Sequence, residues 1–62
     1  MVDPKIAEIQ TKLKNRGYDV GHIDGVFGAK TQAAVAAFQK SEGLIPDGEV
    51  GKETYQALIK PL

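Results

Sequence analysis

A short motif that occurs twice restricts the fold of this chain more than any other feature. Positions 24–35 and 47–58 share the pattern Asp-Gly-x-apolar-Gly-x-x-Thr-x-x-Ala-apolar, and the two copies are offset by 23 residues. Asp-Gly is typical of a tight turn, and the spacing of the Thr, the Ala and the last apolar residue is typical of one face of a helix. The sequence therefore predicts two similar turn-helix units.

Each position of this motif has an expected structural role. The Asp carboxylate should accept backbone N–H groups two or three residues further on, and the Gly after it should take the positive φ of a tight turn. The apolar residue, Phe27 or Val50, should anchor the loop on the core. The second Gly should let the backbone pass close to the next helix, and the Thr should form a local hydrogen bond in the first helical turn.

Start and stop signals predict three helices. Asp3-Pro4 combines an N-cap residue with a proline at the first helical position, while Gly17 and Gly43 suit left-handed C-caps. Pro61 should stop the last helix. The predicted helices run from Pro4 to near Arg16, from Gly28 or Ala29 to Glu42, and from Lys52 to about Ile59.

Composition limits how so short a chain can be stabilised. The 62 residues include no cysteine and one histidine, so neither a disulfide framework nor a Cys/His zinc site is available. At this length folding buries only about 60% of the surface of the unfolded chain, which predicts a single domain with a thin core. The predicted core consists of Ile6, Ile9, Leu13, Phe27, Val35, Phe38, Leu44, Val50 and Leu58.

The charge balance and hydropathy exclude two classes of partner. Eight Lys and Arg residues balance eight Asp and Glu residues, so the chain lacks the positive field of a dedicated nucleic-acid binder. No apolar run approaches the roughly 20 residues of a membrane span, and the N-terminus lacks the basic and apolar regions of a secretion signal. We therefore expect neither nucleic acid nor a membrane as a partner. The sequence also contains no recognisable targeting signal that would indicate its location.

Residues that could support catalysis are few. His22 with Asp19 and Asp24 would make an unusual metal site formed entirely by a loop, so we expect neither a metal nor a cofactor. Ser41 is the only serine and does not lie in a nucleophile elbow. Asp24 and Asp47 could in principle cleave glycosides as a carboxylate pair, but both are expected to be committed to turns. The chain is therefore not expected to be an enzyme.

Taken in order and spacing, the motif residues resemble those of the peptidoglycan-binding domain family, small helical modules found in many bacterial cell-wall hydrolases. The resemblance implies an all-α, compact three-helix bundle with two turn-helix pseudo-repeats that pack on the first helix. It covers nearly all of residues 1–62, which would form one domain linked to a larger protein. The residues that carry it are Ile9-Gln10, Leu13, Gly17-Tyr18, Asp24-Gly25-Val26-Phe27-Gly28, Thr31, Ala34-Val35, Phe38-Gln39, Gly43-Leu44, Asp47-Gly48, Gly51, Thr54 and Leu58.

The function that this resemblance implies is non-catalytic binding of peptidoglycan by a monomer, which targets an attached hydrolytic domain to the wall. It implies an extracellular, cell-wall or periplasmic location. The alternative is a structural or regulatory module that contacts a neighbouring protein domain, because similar modules occur as pro-segments of metalloproteinases.

The predicted ligand-binding surface is a shallow groove near the first Asp-Gly loop, bordered by Tyr18, His22, Asp24, Gln39 and Gln10. Aromatic faces suit amino sugars, and amide side chains suit the peptide and N-acetyl groups of peptidoglycan. Each glutamine follows a core residue, so we expect both at the border between buried and exposed surface. The equally weighted alternative is that they cap local backbone.

Two further features are weaker candidates for wall contact. Lys5, Lys12 and Arg16 lie within about 40° of one another on a helix and form a basic stripe. This stripe could contact anionic wall polymers or peptide carboxylates. The favoured interpretation is a solvated stripe, because Glu8 lies four residues before Lys12 and long basic side chains commonly cover apolar edges of a core. Tyr55 is a candidate second aromatic contact.

Overall fold

The computed structural model describes residues 3–60, which form three helices: α1 (Pro4–Asn15), α2 (Ala29–Ser41) and α3 (Lys52–Ile59). Within this range the chain forms no strand. The predicted all-α three-helix architecture is confirmed, and the helix bounds agree with the prediction to within a residue or so. The predicted stop at Pro61 lies outside the described residues.

The helices begin in two different ways. The Asp3 carboxylate accepts the N–H of Lys5 at 2.9 Å, so α1 has the predicted side-chain cap. α2 and α3 instead begin at Gly28 and Gly51, which have extended backbones and make no side-chain cap. A Cβ placed on either glycine would meet nothing within 4 Å, so the expected close approach of backbone at these two positions is wrong.

The first two helices end in the same way. Gly17 has a φ of 91° and Gly43 a φ of 74°, as predicted for left-handed C-caps. The N–H of the next residue, Tyr18 or Leu44, donates to the carbonyl oxygen five residues earlier, at 3.0 and 2.8 Å. This hydrogen-bond pattern is that of the Schellman motif. It turns the side chains of Tyr18 and Leu44 back onto the core.

The core lies where α1 packs against both α2 and α3. Five predicted core residues are buried, and Leu44 and Val50 are half-buried against them. Val20, in the first loop, is 4% exposed and was not predicted, because no periodic pattern surrounds it. The buried apolar residues are Ile9, Leu13, Val20, Ala34, Val35, Phe38, Ala57 and Leu58.

Phe27 corrects the core prediction. Its side chain is 38% exposed, whereas the matching residue of the second unit, Val50, is half-buried. The ring lines an open groove together with Ile6, which is half-buried, and Ile59, which is 46% exposed. None of the helices within residues 3–60 is both long enough and apolar enough to cross a membrane.

Candidate functional site

Each turn-helix unit is fixed by a buried glutamine on the helix before it. Gln10 lies in α1 and is 1% exposed, and Gln39 lies in α2 and is 2% exposed. The expectation that these two side chains lie at the border of the surface is therefore wrong. Burial of an amide is costly unless its hydrogen-bonding groups find partners, so the partners decide what these residues do.

Gln10 organises the first loop. Its Nε2 group donates to three oxygens: Asp24 Oδ1 at 3.2 Å, the Val26 carbonyl at 3.0 Å and Thr31 Oγ1 at 3.0 Å. Its Oε1 accepts the backbone N–H groups of Asp24 at 3.1 Å and Gly25 at 2.9 Å. We call Gln10, Asp24, Gly25 and Thr31 the first cluster.

Gln39 organises the second loop with the same geometry. Its Nε2 group donates to Asp47 Oδ1 at 3.0 Å, to the Glu49 carbonyl at 2.7 Å and to Thr54 Oγ1 at 3.0 Å. Its Oε1 accepts the N–H of Gly48 at 2.9 Å. We call Gln39, Asp47, Gly48 and Thr54 the second cluster. In both clusters the glutamine side chain forms hydrogen bonds with backbone groups, as the alternative interpretation proposed. These backbone groups are distant in sequence, however, whereas the alternative expected local ones.

The motif residues of the two clusters match most of their expected roles. Asp24 and Asp47 each accept the N–H of the residue two positions further on, at 2.9 Å. Gly25 and Gly48 have φ values of 73° and 76°, as the tight turns require. The Thr prediction needs correction, because the expected local hydrogen bond is replaced by one to a glutamine of the preceding helix.

The same contacts set the ionisation of the two aspartates. The backbone N–H of Val26, and then the amide of Gln10, hold the pKa of Asp24 below its usual value of 3.8. The backbone N–H of Glu49, and then the amide of Gln39, do the same for the pKa of Asp47. A general acid needs a raised pKa, so these carboxylates suit turn formation rather than glycoside cleavage.

The structure brings together only part of the predicted ligand-binding surface. His22 and Asp24 are exposed and line one open pocket at the first loop, into which the edge of Gln10 reaches. Gln39 borders a different pocket, at the second cluster. Tyr18 is half-buried, and its ring packs edge-to-face on Phe38 with 6.0 Å between the centroids.

Arg16 breaks up the predicted basic stripe. Its guanidinium lies 5.2 Å from the centroid of the Phe38 ring, and its Nη2 donates to three carbonyl oxygens at the C-terminal end of α3 at 2.9–3.3 Å. A cation at this position satisfies carbonyls that have no partner within the helix. Arg16 is half-buried and its guanidinium is bound within the fold, so the favoured interpretation of a solvated stripe is wrong for this residue, although its stem does cover the edge of the core.

A large opening was missed by the sequence reasoning. It is a groove of about 770 Å³ between α1 and α3, and Phe27 and Tyr55 line it. The groove was not predicted because Phe27, which lines it, was assigned to the core. The available signal was the pairing of Phe27 with the smaller Val50 at the same motif position, since a site sized for valine has no room to bury phenylalanine. The remaining lining residues are Asp3, Lys5, Ile6, Ile9, Glu49, Val50, Gly51, Lys52, Gln56 and Ile59.

One side chain of this groove, Tyr55, is held by two contacts from α1. The Tyr55 hydroxyl donates to Glu8 Oε1 at 2.7 Å, and this hydrogen bond raises the pKa of Tyr55 above its usual value of 10.0. The Lys5 ammonium lies 4.4 Å from the centroid of the Tyr55 ring. Across residues 3–60, no three His, Cys, Asp or Glu side chains are grouped so that they could hold a metal ion.

Comparisons with known proteins agree with this architecture. The family described as "Putative peptidoglycan binding domain" matches residues 2–58. The chain is 44% identical over 55 residues to a spore cortex-lytic enzyme of Bacillus cereus, and this match covers 89% of the chain and 21% of the relative. It is 38% identical over 53 residues to the N-acetylmuramoyl-L-alanine amidase CwlM of Mycobacterium tuberculosis, covering 86% of the chain and 13% of the relative.

A third relative, the spore cortex-lytic enzyme of Bacillus subtilis, is 47% identical over 55 residues. This match covers 87% of the chain and 18% of the relative, so the chain spans about a fifth or less of these proteins. No solved structure matches the chain. Because the family match spans all three helices and both clusters, the chain belongs to the peptidoglycan binding domain family.

Proposed function

We propose that this chain binds bacterial peptidoglycan without cleaving it and, as one domain of a longer protein, brings a hydrolytic domain to the cell wall. The family match over residues 2–58 carries this proposal. Its relatives include proteins named as a cortex-lytic enzyme and an amidase, and most of their length lies outside the match. A role at the wall implies that the domain acts outside the cytoplasmic membrane.

The non-catalytic part of the proposal is supported by the way the acidic residues are used. Asp24 and Asp47 accept turn hydrogen bonds and have lowered pKa values, and Asp3 caps α1. Glu8 accepts the hydroxyl of Tyr55. These contacts give the four carboxylates structural roles.

Affinity for a single site on the wall should be modest. The domain has 62 residues and acts, in this proposal, as a monomer, so any contact area is small. A small interface loses much of its favourable free energy to the ordering of side chains and to desolvation. Retention at the wall would then depend on the high local concentration of repeated sites and on linkage to another domain.

Sedimentation with purified wall sacculi tests the proposal. The chain should be depleted from the supernatant at low salt, and a heat-unfolded sample should not be. Failure of correctly folded protein to sediment, judged by helical circular dichroism, would contradict wall binding. Release of soluble wall fragments by the isolated chain would contradict the non-catalytic part.

One observation favours the second candidate, a module that contacts a neighbouring protein domain. The groove between α1 and α3 exposes Phe27 and Ile59, and apolar side chains grouped in this way often mark protein contacts. The pocket with His22 and Asp24 remains the predicted wall contact of the first loop. Chemical-shift changes on adding soluble muropeptides would favour the wall, whereas changes only on adding a partner domain would favour the second candidate.

A further inference from the structure

We propose that the groove between α1 and α3 is the main wall contact, and that it binds the peptide stem of peptidoglycan rather than the glycan strand. This inference rests on the proposed function. It names a surface and a chemical class that the family match does not supply. Three properties of the groove carry it: an apolar floor, side chains that are already held in place, and charges of both signs at the rim.

The floor of the groove is apolar and partly open to solvent. Phe27 is 38% exposed and Ile59 is 46% exposed, while Ile6, Val50 and Tyr55 are half-buried. Single exposed apolar residues are ordinary on a protein surface, but several that share one concave site indicate a ligand. Short alkyl side chains, such as the methyl groups of alanine residues in a peptide stem, fit such a floor without large rearrangement.

The walls of the groove are fixed before any ligand arrives. Tyr55 is held at its hydroxyl by Glu8, and its ring is covered on one side by the Lys5 ammonium. The loop that carries Phe27 and the loop that carries Val50 are each bonded to a buried glutamine. Since side chains that are already ordered lose little freedom on binding, even a small peptide could gain useful affinity here.

Charge distinguishes a peptide from a glycan. Lys5 and Lys52 line the groove, and within residues 3–60 the only ion pair closer than 4.0 Å is that of Lys30 with Asp19. Both groove ammonium groups are thus without a carboxylate partner in the described part of the chain. Asp3 and Glu49 supply negative charge at the same rim. Unpaired ammonium groups beside an apolar floor complement free carboxylates on a short peptide, and the rim carboxylates complement its amine.

The glycan strand lacks this combination. Its repeating sugars present hydroxyl and N-acetyl groups, which can stack on the Phe27 and Tyr55 rings but offer no charged group to the two ammonium groups or to the rim carboxylates. A peptide stem with small apolar side chains, several carboxylates and the amine of a diamino acid matches the floor and both signs of charge. The groove therefore fits the peptide component of the wall better than the sugar component.

An NMR titration of the chain with two soluble probes separates these components. The first probe is a sugar-free tetrapeptide stem that contains a diamino acid, and the second is the disaccharide N-acetylglucosaminyl-N-acetylmuramic acid without peptide, with its lactyl carboxyl group capped as an amide so that the sugar carries no charge. The inference expects saturable shifts at Phe27, Lys52 and Tyr55 with the tetrapeptide and none there with the disaccharide. Shifts at the groove with the disaccharide alone, or tetrapeptide shifts confined to the pocket of His22 and Asp24, would overturn it.

Sedimentation of variants with sacculi provides the second arm. Phe27→Ala and Lys52→Gln should each lower retention about tenfold, because one removes an exposed part of the floor and the other an unpaired charge. Ile45→Ala and Lys40→Gln are matched controls on exposed positions outside the groove, and both should bind normally. Circular dichroism confirms that each variant is folded.

The outcomes distinguish failure of this inference from failure of the proposed function. If the unmodified chain is not retained by sacculi, the proposed function fails. If the unmodified chain is retained and Phe27→Ala and Lys52→Gln are retained equally well, wall binding stands and the groove is not the contact. Loss of retention in the groove variants alone, with tetrapeptide shifts at the groove, supports the inference.

Discussion

The first and second clusters use nearly the same hydrogen bonds to join a glutamine to an Asp-Gly turn at different separations along the chain. The bond from glutamine Nε2 to aspartate Oδ1 spans 14 residues in the first cluster and 8 in the second, a difference of 14 − 8 = 6. The Asp-Gly turn nevertheless meets the glutamine with matching distances in both. The cluster therefore fixes where a loop ends and places little restriction on how long it is.

The context of the two clusters differs more than their geometry. Gln10 accepts two backbone N–H groups and Gln39 accepts one. The first turn is also bonded to the N-terminal end of α1, since the N–H of Asp3 donates to the Gly25 carbonyl at 3.0 Å. The longer first loop carries the buried Val20 and the exposed His22. One helical scaffold can thus hold a short structural turn and a longer loop with room for variation.

The largest expected effect comes from removing the glutamines. Gln10→Met and Gln39→Met keep the approximate side-chain length but leave buried polar groups of the turn and the threonine without partners. We expect losses of about 3 kcal/mol for Gln10→Met and about 2 kcal/mol for Gln39→Met, measured by urea unfolding. The first is larger because one more backbone N–H is orphaned.

Gln56→Met is the matched control, since Gln56 is exposed on α3 and belongs to neither cluster. It should leave stability within about 0.5 kcal/mol of the unmodified chain. A larger loss of stability for Gln39→Met than for Gln10→Met would contradict this ranking. It would mean that the stabilisation by each cluster depends on the helix that follows it rather than on the number of its hydrogen bonds.

The next effect separates turn glycines from cap glycines. Gly48 and Gly43 have nearly the same positive φ, 76° and 74°, but a Cβ on Gly48 would lie 2.7 Å from Gln32 Cγ, whereas one on Gly43 would meet nothing within 4 Å. Gly48→Ala should therefore cost about 2 kcal/mol and Gly43→Ala about 1 kcal/mol. Gly17→Ala, at the equivalent cap of α1, should match Gly43→Ala. Equal losses for Gly48 and Gly43 would show that Gln32 moves aside freely.

The sequence was sufficient for the helices and the turns because their signals are local. Caps, prolines and the Asp-Gly pairs act over a few residues, so they predicted three helices and two turns with positive φ. The glutamines were harder to recognise. Gln10 and Gln39 are separated by 39 − 10 = 29 residues, not by the 23 of the motif. The first loop is three residues longer than the second, and Gln10 lies three residues further from the end of its helix than Gln39 does. A fixed repeat offset cannot align partners on either side of a loop of variable length.

Phe27 illustrates a second limit of the sequence. Two residues at the same motif position need not be equally buried, because burial depends on which helix covers them and on the volume available there. Val50 is half-buried, whereas the larger Phe27 extends into the groove between α1 and α3. The candidate site shows the same limit. The residue types predicted a groove lined by amide side chains, but both amides are buried and hydrogen-bonded within the clusters. The groove between α1 and α3 is instead lined by exposed apolar side chains.

A smaller effect tests an asymmetry between the C-caps of α1 and α2. Arg16 and Glu42 occupy equivalent cap positions, but only Arg16 reaches the carbonyls at the end of α3. Arg16→Met keeps the apolar stem over Phe38 and removes the donors, which should cost about 1 kcal/mol in urea unfolding. Glu42→Met should be near neutral as the matched change. Similar losses for both would indicate that the guanidinium adds nothing beyond packing.

The smallest effect compares the two aspartates through pH. Each carboxylate has a pKa below its usual value of 3.8, caused first by a backbone N–H and then by a glutamine amide. A lowered folded-state pKa adds stability that is present above the unfolded pKa and is lost as pH falls through the folded value. Stability should therefore be level near neutral pH and decline below about pH 4, as the unfolded carboxylates begin to take up protons.

Asp24→Asn and Asp47→Asn test this account because the amide keeps an oxygen for the turn but removes the ionised acceptor. Each variant should be less stable than the unmodified chain at pH 7, and the gap should narrow as the pH falls below 4 because the unmodified carboxylate becomes protonated too. The two aspartates share their four largest causes in the same order, and the charge of His22 lowers the pKa of Asp24 further, so the Asp24 gap should close at a pH equal to or slightly below that of the Asp47 gap. Thermal unfolding at several pH values measures this, and a gap that stays constant down to pH 2 would show that charge plays no part in either turn.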